Sequence, residues 1–497
     1  MPHTSSAFIR IHLWPRYVLA ATLLFATSCV VGPTYKRPTA PVTPAFKEPP
    51  PPEFKEVEGW KPTTPGDAAA KGKWWEIYKD PALNALEERV AIDNQNVLLA
   101  EAQFREARAA TNIAKAALSP TIGSSAAVTE SRTANTIPNA SGMHTALSLP
   151  LSASWEPDLW GNIRRGVTAA TATAQASAAQ LENGRLLYQA LLAEDYFLLH
   201  GQDSQCALLE STVKNYQEYL TLTQNRYAGG VASDLDVAQA ESQLYTTQSQ
   251  LKDLGVARAQ YEHAIAVLTG KPPAELNIPT LALKNPPPPV PIGVPSSLLE
   301  RRPDIAAAER QMAAANEQVG IATAAFYPTL TLGASIGLQN TSITRWLSWP
   351  SRFFSIGPAI SQTFYDAGRR KAALTQTEAA FDATIASYRQ LVLTAFQQVE
   401  DNLAALRIFE EESRIVDQAV ASAERALTVS SAQYKAGTTS YLAVITAQAT
   451  ALNAERTAVE LLTRRLTASV LLIQALGGGW DVSKLPTPQD ILPPKTK

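Results

Sequence analysis

Residues 226–241 read RYAGGVASDLDVAQAE, and residues 433–448 read QYKAGTTSYLAVITAQ. Tyr227, Gly230, Ser233, Leu235, Val237 and Ala240 recur as Tyr434, Gly437, Ser440, Leu442, Val444 and Ala447, each 207 residues later. The echo continues upstream. AALSPT, ending at Thr121, answers AAFYPT, ending at Thr329, and Gly161 in DLWGNIRRG answers Gly368 in FYDAGRRKA. A period this long exceeds a solenoid unit and marks one large element present twice. Each copy of the motif reads as a tight helical hairpin. The glycine ends one helix in a left-handed backbone conformation, and the serine caps the next.

The segments around these hairpins are long and free of proline over 162–225 and 366–480. At about 1.5 Å per residue, an unbroken helix over the first would run roughly 95 Å. That far exceeds a bilayer, so most of it stands in water. Arg165, Glu182, Arg185, Glu194 and Asp195 along it suit that exposure. The aromatic share is only 7%, with many Ala, Gln, Thr and Ser residues, so the helices are expected to pack closely through small side chains. A coiled-coil scaffold would share this pattern.

Between the helical stretches the period switches to two. Leu147, Leu149, Leu151, Ala153 and Trp155 alternate with small or polar residues, as do Leu330, Leu332, Ala334, Ile336 and Leu338. Phe354, Ile356, Ile360 and Phe364 continue the second pattern on a return strand, and Ala126 and Val128 faintly begin the first. Such alternation fits transmembrane barrel strands or an ordinary sandwich hairpin. Pro150 and Pro358 interrupt both pairs. Four strands are too few to enclose a lumen. If they lie in lipid, several subunits must close the sheet, because an open edge cannot be satisfied in hydrocarbon.

The start of the chain differs. Arg10, His12 and Arg16 precede a short apolar run from Tyr17 to Ala26, then Thr27, Ser28 and Cys29. This predicts an export signal over 1–28, with an uncleaved anchor as the alternative. Cys29 would then head the mature chain as a lipidation site, the alternative being simple cleavage that leaves a free thiol. Residues 38–72 are proline-rich and predict an extended arm lying on the folded body. Regular structure resumes near KWWEIYKDPALNAL, where Asp80 caps and Pro81 opens a helix expected to run on until just before Pro120.

A net charge of −2 gives no reason to expect nucleic acid as a partner. Cys29 and Cys206 are the only cysteines, and the five histidines show no metal-ligand spacing. No nucleophile, cofactor or Walker-type phosphate constellation is present. No catalytic, cofactor-binding or metal residues are therefore assigned, and the chain is not read as an enzyme.

CVVGPTYKRP from Cys29, KWWEIYKDPALNAL, SWEPDLWG at 154–161, RRPDI at 301–305, FYPTLTL at 326–332, FYDAGRR at 364–370 and the paired hairpins together resemble the outer-membrane factors of tripartite efflux systems. The resemblance is to the NodT-like lipoprotein branch and covers Cys29–Trp480. It departs from the lipoprotein pattern at Ala26, where such signals usually carry Leu. The resemblance implies an α+β membrane protein: a long alpha-helical periplasmic barrel plus a trimeric twelve-stranded transmembrane β-barrel, with four strands per protomer. It implies a homotrimer in the outer membrane, anchored there by palmitate-type acylation of Cys29, with coiled-coil helices in the periplasm. Its partners would be outer-membrane lipid, a periplasmic adaptor and an inner-membrane transporter, with the resistance-nodulation-division class as one option. Solutes would pass outward through it passively. An autonomous diffusion porin and a non-transport envelope scaffold are the competing readings.

On this view 1–28 is the signal and 29–80 the extended arm. Residues 81–290 form the first repeat, with strands near 121–134 and 144–156. Residues 291–480 form the second, with strands near 328–340 and 353–365, and 481–497 are a tail. By motif position Leu442 falls on a hydrophobic constriction of a periplasmic gate, and Thr446 stands where some relatives carry Asp. Asp234 and Asp236 could supply carboxylates instead, or simply stabilise a helix start. Tyr227, Gly230, Ser233, Tyr434, Gly437 and Ser440 would shape the turns or meet an adaptor, with packing over the turn as the plainer role for the tyrosines. Arg164, Arg165, Arg369 and Arg370 would mark a polar boundary below the lipid, with a plain solvated surface as an equal alternative for each alone. Trp346 and Trp349 would anchor at an interface or pack in their loop. Arg301, Arg302 and Asp304 would organise the second repeat's first helix.

Overall fold

Helix α1, Pro81–Asp93, begins where the Asp80 carboxylate accepts from the amides of Ala82 and Leu83. The structure, a computed structural model, describes residues 30–48, 73–133, 142–290 and 298–492. The signal segment, Cys29 and arm residues 49–72 lie outside the described residues. The single helix expected to run to Pro120 is in fact two. The chain breaks at Asn94 and restarts as α2, Gln95–Ala116. Asn94 is buried; its Oδ1 accepts from the amides of Asn96 and Val97, and its Nδ2 donates to the Leu268 carbonyl at 2.8 Å. A local cap with a long-range partner outcompetes the continuous helix there.

Four antiparallel strands follow the period-two segments. The first is interrupted, as β1 (Thr121–Ser124) and β2 (Ala127–Thr133), and both parts pair with β3 (Gly142–Trp155) in one register. The interruption lies opposite Pro150, which has no N–H to give to the ladder. On its other side β3 pairs with β4 (Thr329–Asn340), and β4 with β5 (Arg352–Ser361). Gly337 sits opposite Pro150, and a Cβ there would lie 2.3 Å from the Leu149 carbonyl oxygen, so only glycine fits. Pro358 occupies β5, the last strand of the sheet within one chain, opposite Leu332 of β4. Among the described residues, one edge of the sheet, along β1 and β2, and the other, along β5, have no partner within the chain. Ile336, Phe354, Ile356 and Ile360 share one face and are all exposed.

The long helices are α3 (Asn162–Ala228), α4 (Asp234–Leu268), α5 (Pro303–Ala324), α6 (Arg369–Lys435) and α7 (Tyr441–Ala475). At 67 residues each, α3 and α6 run about 100 Å. α3 packs on α2, α4, α5 and α7, and α6 packs on α5 and α7. Small residues allow this approach. Ala169, Ala172, Ala174, Ala176 and Ala179 of α3 are buried, and a Cβ at Gly201 would come within 2.6 Å of Thr463 Oγ1 on α7. The largest core gathers Trp74, Tyr196, Leu199, Val399 and Leu472 around the middle of the bundle. No helix among the described residues is long and apolar enough to cross a membrane.

Candidate functional site

The two hairpins lie at the end of the bundle farthest along the chain from the sheet, and they touch. In the first, Gly230 has φ +72°, its amide donates to the Tyr227 carbonyl, and the Val231 amide reaches back to Arg226. In the second, Gly437 has φ +76°, with the equivalent bonds from Gly437 to Tyr434 and from Thr438 to Gln433. These are paired Schellman turns, which satisfy the last carbonyls of each helix. The repeat therefore preserves backbone geometry.

Side chains depart from that symmetry. Ser233 and Asp236 form a reciprocal capping box, so the Asp236 carboxylate serves the start of α4. Ser440 makes no side-chain cap bond at α7, where Ala443 stands in place of Asp236. Asp234, Leu442 and Thr446 are exposed, and the Thr446 hydroxyl donates to the Leu442 carbonyl at 2.9 Å. Tyr227 is 49% exposed, whereas Tyr434 is 3% exposed and packs against Tyr441 at 5.3 Å between ring centroids.

Arg226 explains that difference. Its Nη1 donates to the Tyr434 carbonyl at 2.6 Å, and its guanidinium carbon lies 4.5 Å from the Tyr434 ring centroid. A cation from the first hairpin thus caps the C-terminal end of α6, where the helix dipole favours positive charge. Thr223 adds a 3.3 Å contact to the Tyr434 hydroxyl. Motif reading missed both residues. The signal was available as a break in the repeat, since the counterpart of Arg226 is Gln433.

At the opposite end, Gly161 and Gly368 turn the chain from sheet to helix with φ +84° and +86°. Asp158 accepts from the Ile163 and Arg164 amides and from the Arg164 side chain; Asp366 does the same for Gly368 and Arg370. Burial pushes the Asp158 carboxyl up, but its bonds to Arg164 and Ile163 bring it below its ordinary value. Arg165 is not the boundary cation expected from its position. It is buried, pairing with Glu317 at 2.8 Å and donating to the Val31 and Pro33 carbonyls. Gly320 makes room for it, because a Cβ there would fall 2.4 Å from Arg165 Nε.

This clamp starts a strap. Val30 lies against Gly161, and the Val31 amide donates to the Trp160 carbonyl. The arm then follows α5 and α6: Tyr35 donates to Glu309, Arg37 to Tyr388, and the Lys47 and Glu48 amides to Glu400. Arg302 is bidentate to Asp304 at the start of α5 and also bonds Gln398 and the Ala475 carbonyl. Trp346 donates back to the Leu338 carbonyl of β4, while Trp349 is exposed beneath the Arg352 guanidinium. No group of three or more metal-ligating side chains gathers among the described residues.

Two matching halves, each a strand pair and a long helical hairpin, form one unit. Residues 87–271 and 294–478 match the family described as Outer membrane efflux protein. The chain belongs to that family. It is 30% identical over 473 residues to the toluene efflux pump outer membrane protein TtgC of Pseudomonas putida, covering 93% of this chain and 95% of that one. It is 31% identical over 426 residues to the pyoverdine export outer membrane protein OpmQ of Pseudomonas aeruginosa, covering 83% and 89%. The solved outer-membrane channel OprN superposes with a TM-score of 0.83 at 29% identity, covering 91% of this chain and all of OprN. The outer membrane protein VceC of Vibrio cholerae gives 0.77 at 29% identity, covering 83% and 100%. The chain is an outer-membrane component of an efflux system, in a family of ducts rather than enzymes.

Proposed function

We propose that three copies of this chain form a lipid-anchored exit duct, gated at the helical tip and passively conducting small solutes received from a periplasmic adaptor and an inner-membrane pump. The observation that carries the reading is a four-stranded sheet with one exposed apolar face and two unpaired edges, continuous with helices of about 100 Å. An open edge in hydrocarbon leaves backbone groups unsatisfied, so neighbouring copies close the barrel, and three supply twelve strands. The helices then stand in the periplasm as its tunnel. Relatives named for toluene and for pyoverdine differ widely in cargo, which suits a duct whose solutes are selected upstream.

Lipidation of Cys29 gains support from its neighbour. Val30 is held at Gly161, where sheet becomes helix, so an acyl chain on the preceding residue would emerge at the membrane boundary. The matched hairpins support a division into two repeats between the arm and the tail. At the tip, the exposure of Leu442 and Thr446 supports reading them as lining the aperture, with Asp234 exposed beside them and Asp236 committed to its cap. Tyr227 offers an adaptor a ring that Tyr434 does not. Single-channel recording of folded trimers tests the gate. Wild-type channels should be nearly closed and Leu442→Ala should raise conductance. A freely conducting wild type would instead indicate an autonomous porin, and silence in both would indicate a scaffold.

A further inference from the structure

The two unpaired sheet edges carry more than the need for a neighbour, because the repeat specifies how they meet. The first strand of each pair is displaced by 208 residues between copies, from Thr121 to Thr329, and the second by 207, following Gly161 to Gly368. The displacement can be checked within the chain. Moved by these spacings, the observed pair Thr121 and Ser154 becomes Thr329 and Ser361, which is an observed pair. The strand pairs are therefore copies in register as well as in sequence.

The junction between them, β3 against β4, pairs Pro150 with Gly337 and Ser148 with Gln339. Its counterpart in a closed barrel is β5 against the first strand of the next copy. We propose that β5 pairs antiparallel with β2 of a second copy of this chain in the register that places Gly357 opposite Thr129 of the partner subunit. Ser355 then faces Ser131 of the partner subunit, and Ala359 faces Ala127 of the partner subunit. This rests on the trimer reading above and adds the interface to it.

Face parity supports the same register independently. Phe354, Ile356 and Ile360 point to the apolar face of β5 and are 75–81% exposed. On the first strand, Ile122 and Val128 share the apolar face with Leu151 and Leu147 across the ladder, and they too are exposed. The proposed register joins apolar face to apolar face. A slip of one residue would turn every apolar side chain of one edge toward the lumen. Slips of two keep parity and are the ones an experiment must separate.

Cysteine cross-linking of the full-length protein in its membrane makes that separation. Within one chain Gly357→Cys has room, since a Cβ there meets nothing within 4 Å. Directly opposed residues lie about 4.5–5.5 Å apart between Cα atoms and diagonal neighbours about 7–8 Å, whereas a disulfide spans roughly 4.4–6.8 Å. In a Cys206→Ser background with Cys29 retained, Gly357→Cys combined with Thr129→Cys should oxidise to covalent dimers and trimers several-fold more completely than its combination with Ala127→Cys or Ser131→Cys. Ser355→Cys with Ser131→Cys is a second matched pair that decides the outcome if the first does not fold. Preferential cross-linking of a shifted pair overturns the register, as does absence of any cross-link in protein that still measures as a trimer. A mass measurement showing monomers alone overturns the trimer reading itself.

Discussion

The two hairpin tips descend from one motif and use it differently. Both keep the left-handed glycine and the same turn hydrogen bonds. The first tip closes on itself through the Ser233–Asp236 capping box and leaves Tyr227 in solvent. The second lacks a side-chain cap and is held from outside, by Arg226 on the Tyr434 carbonyl and ring. Duplication thus preserves what the backbone requires, while side chains are free to divide the work. One tip is self-supporting, and the other depends on its neighbour.

That dependence can be broken at its centre. Tyr434→Ala removes a buried ring from the cluster with Tyr216, Leu220, Tyr441 and Val444. It should cost on the order of 3 kcal/mol of local stability. Tyr227→Ala, at the matching exposed position, should cost less than about 0.5 kcal/mol. Hydrogen exchange of the tip amides in the folded protein reads both, and equal effects would contradict the asymmetry. A smaller loss is expected from Arg226→Ala, about 2 kcal/mol for a charge-assisted bond. Its signature is location: faster exchange at the end of α6, on the other hairpin, with Gln433→Ala leaving the end of α3 unchanged. If Arg226→Ala loosens only its own turn, the cross-hairpin cap is not what holds the second tip. The smallest contrast lies at the serines. Ser233→Ala should loosen the first turn of α4 by about 1 kcal/mol. Ser440→Ala should change the start of α7 by less than about 0.5 kcal/mol.

The same contrast runs to the far end of each repeat. Asp158 and Asp366 play matching parts at Gly161 and Gly368, yet only the first repeat carries the Arg165 clamp; its counterpart is Ala372. Arg165 read as one more cation in a basic cluster, because nothing adjacent announces that Val31, Pro33 and Glu317 will converge on it. Asn94 was hidden for a related reason. Its neighbours keep a helical face, and the capture of its side chain by Leu268 comes from an element more than 170 residues away. Leu442, Thr446 and Asp234 were placed on the tip by motif, and all three are exposed.

By itself the sequence determined the duplication, the lengths of α3 and α6, the strand faces and the left-handed glycines. Each of these is a constraint on the backbone over a few residues, or a period repeated along it, and such constraints act wherever the segment ends up. Tertiary structure alone decided that Tyr434 is buried while Tyr227 is not, that Arg226 caps a foreign helix, and that Arg165 grips the arm. Those outcomes depend on which surfaces meet. Two copies of one motif cannot occupy equivalent surroundings once α3 and α6 have different neighbours. Burial and charge pairing are set by those neighbours, so identical local signals end in different environments.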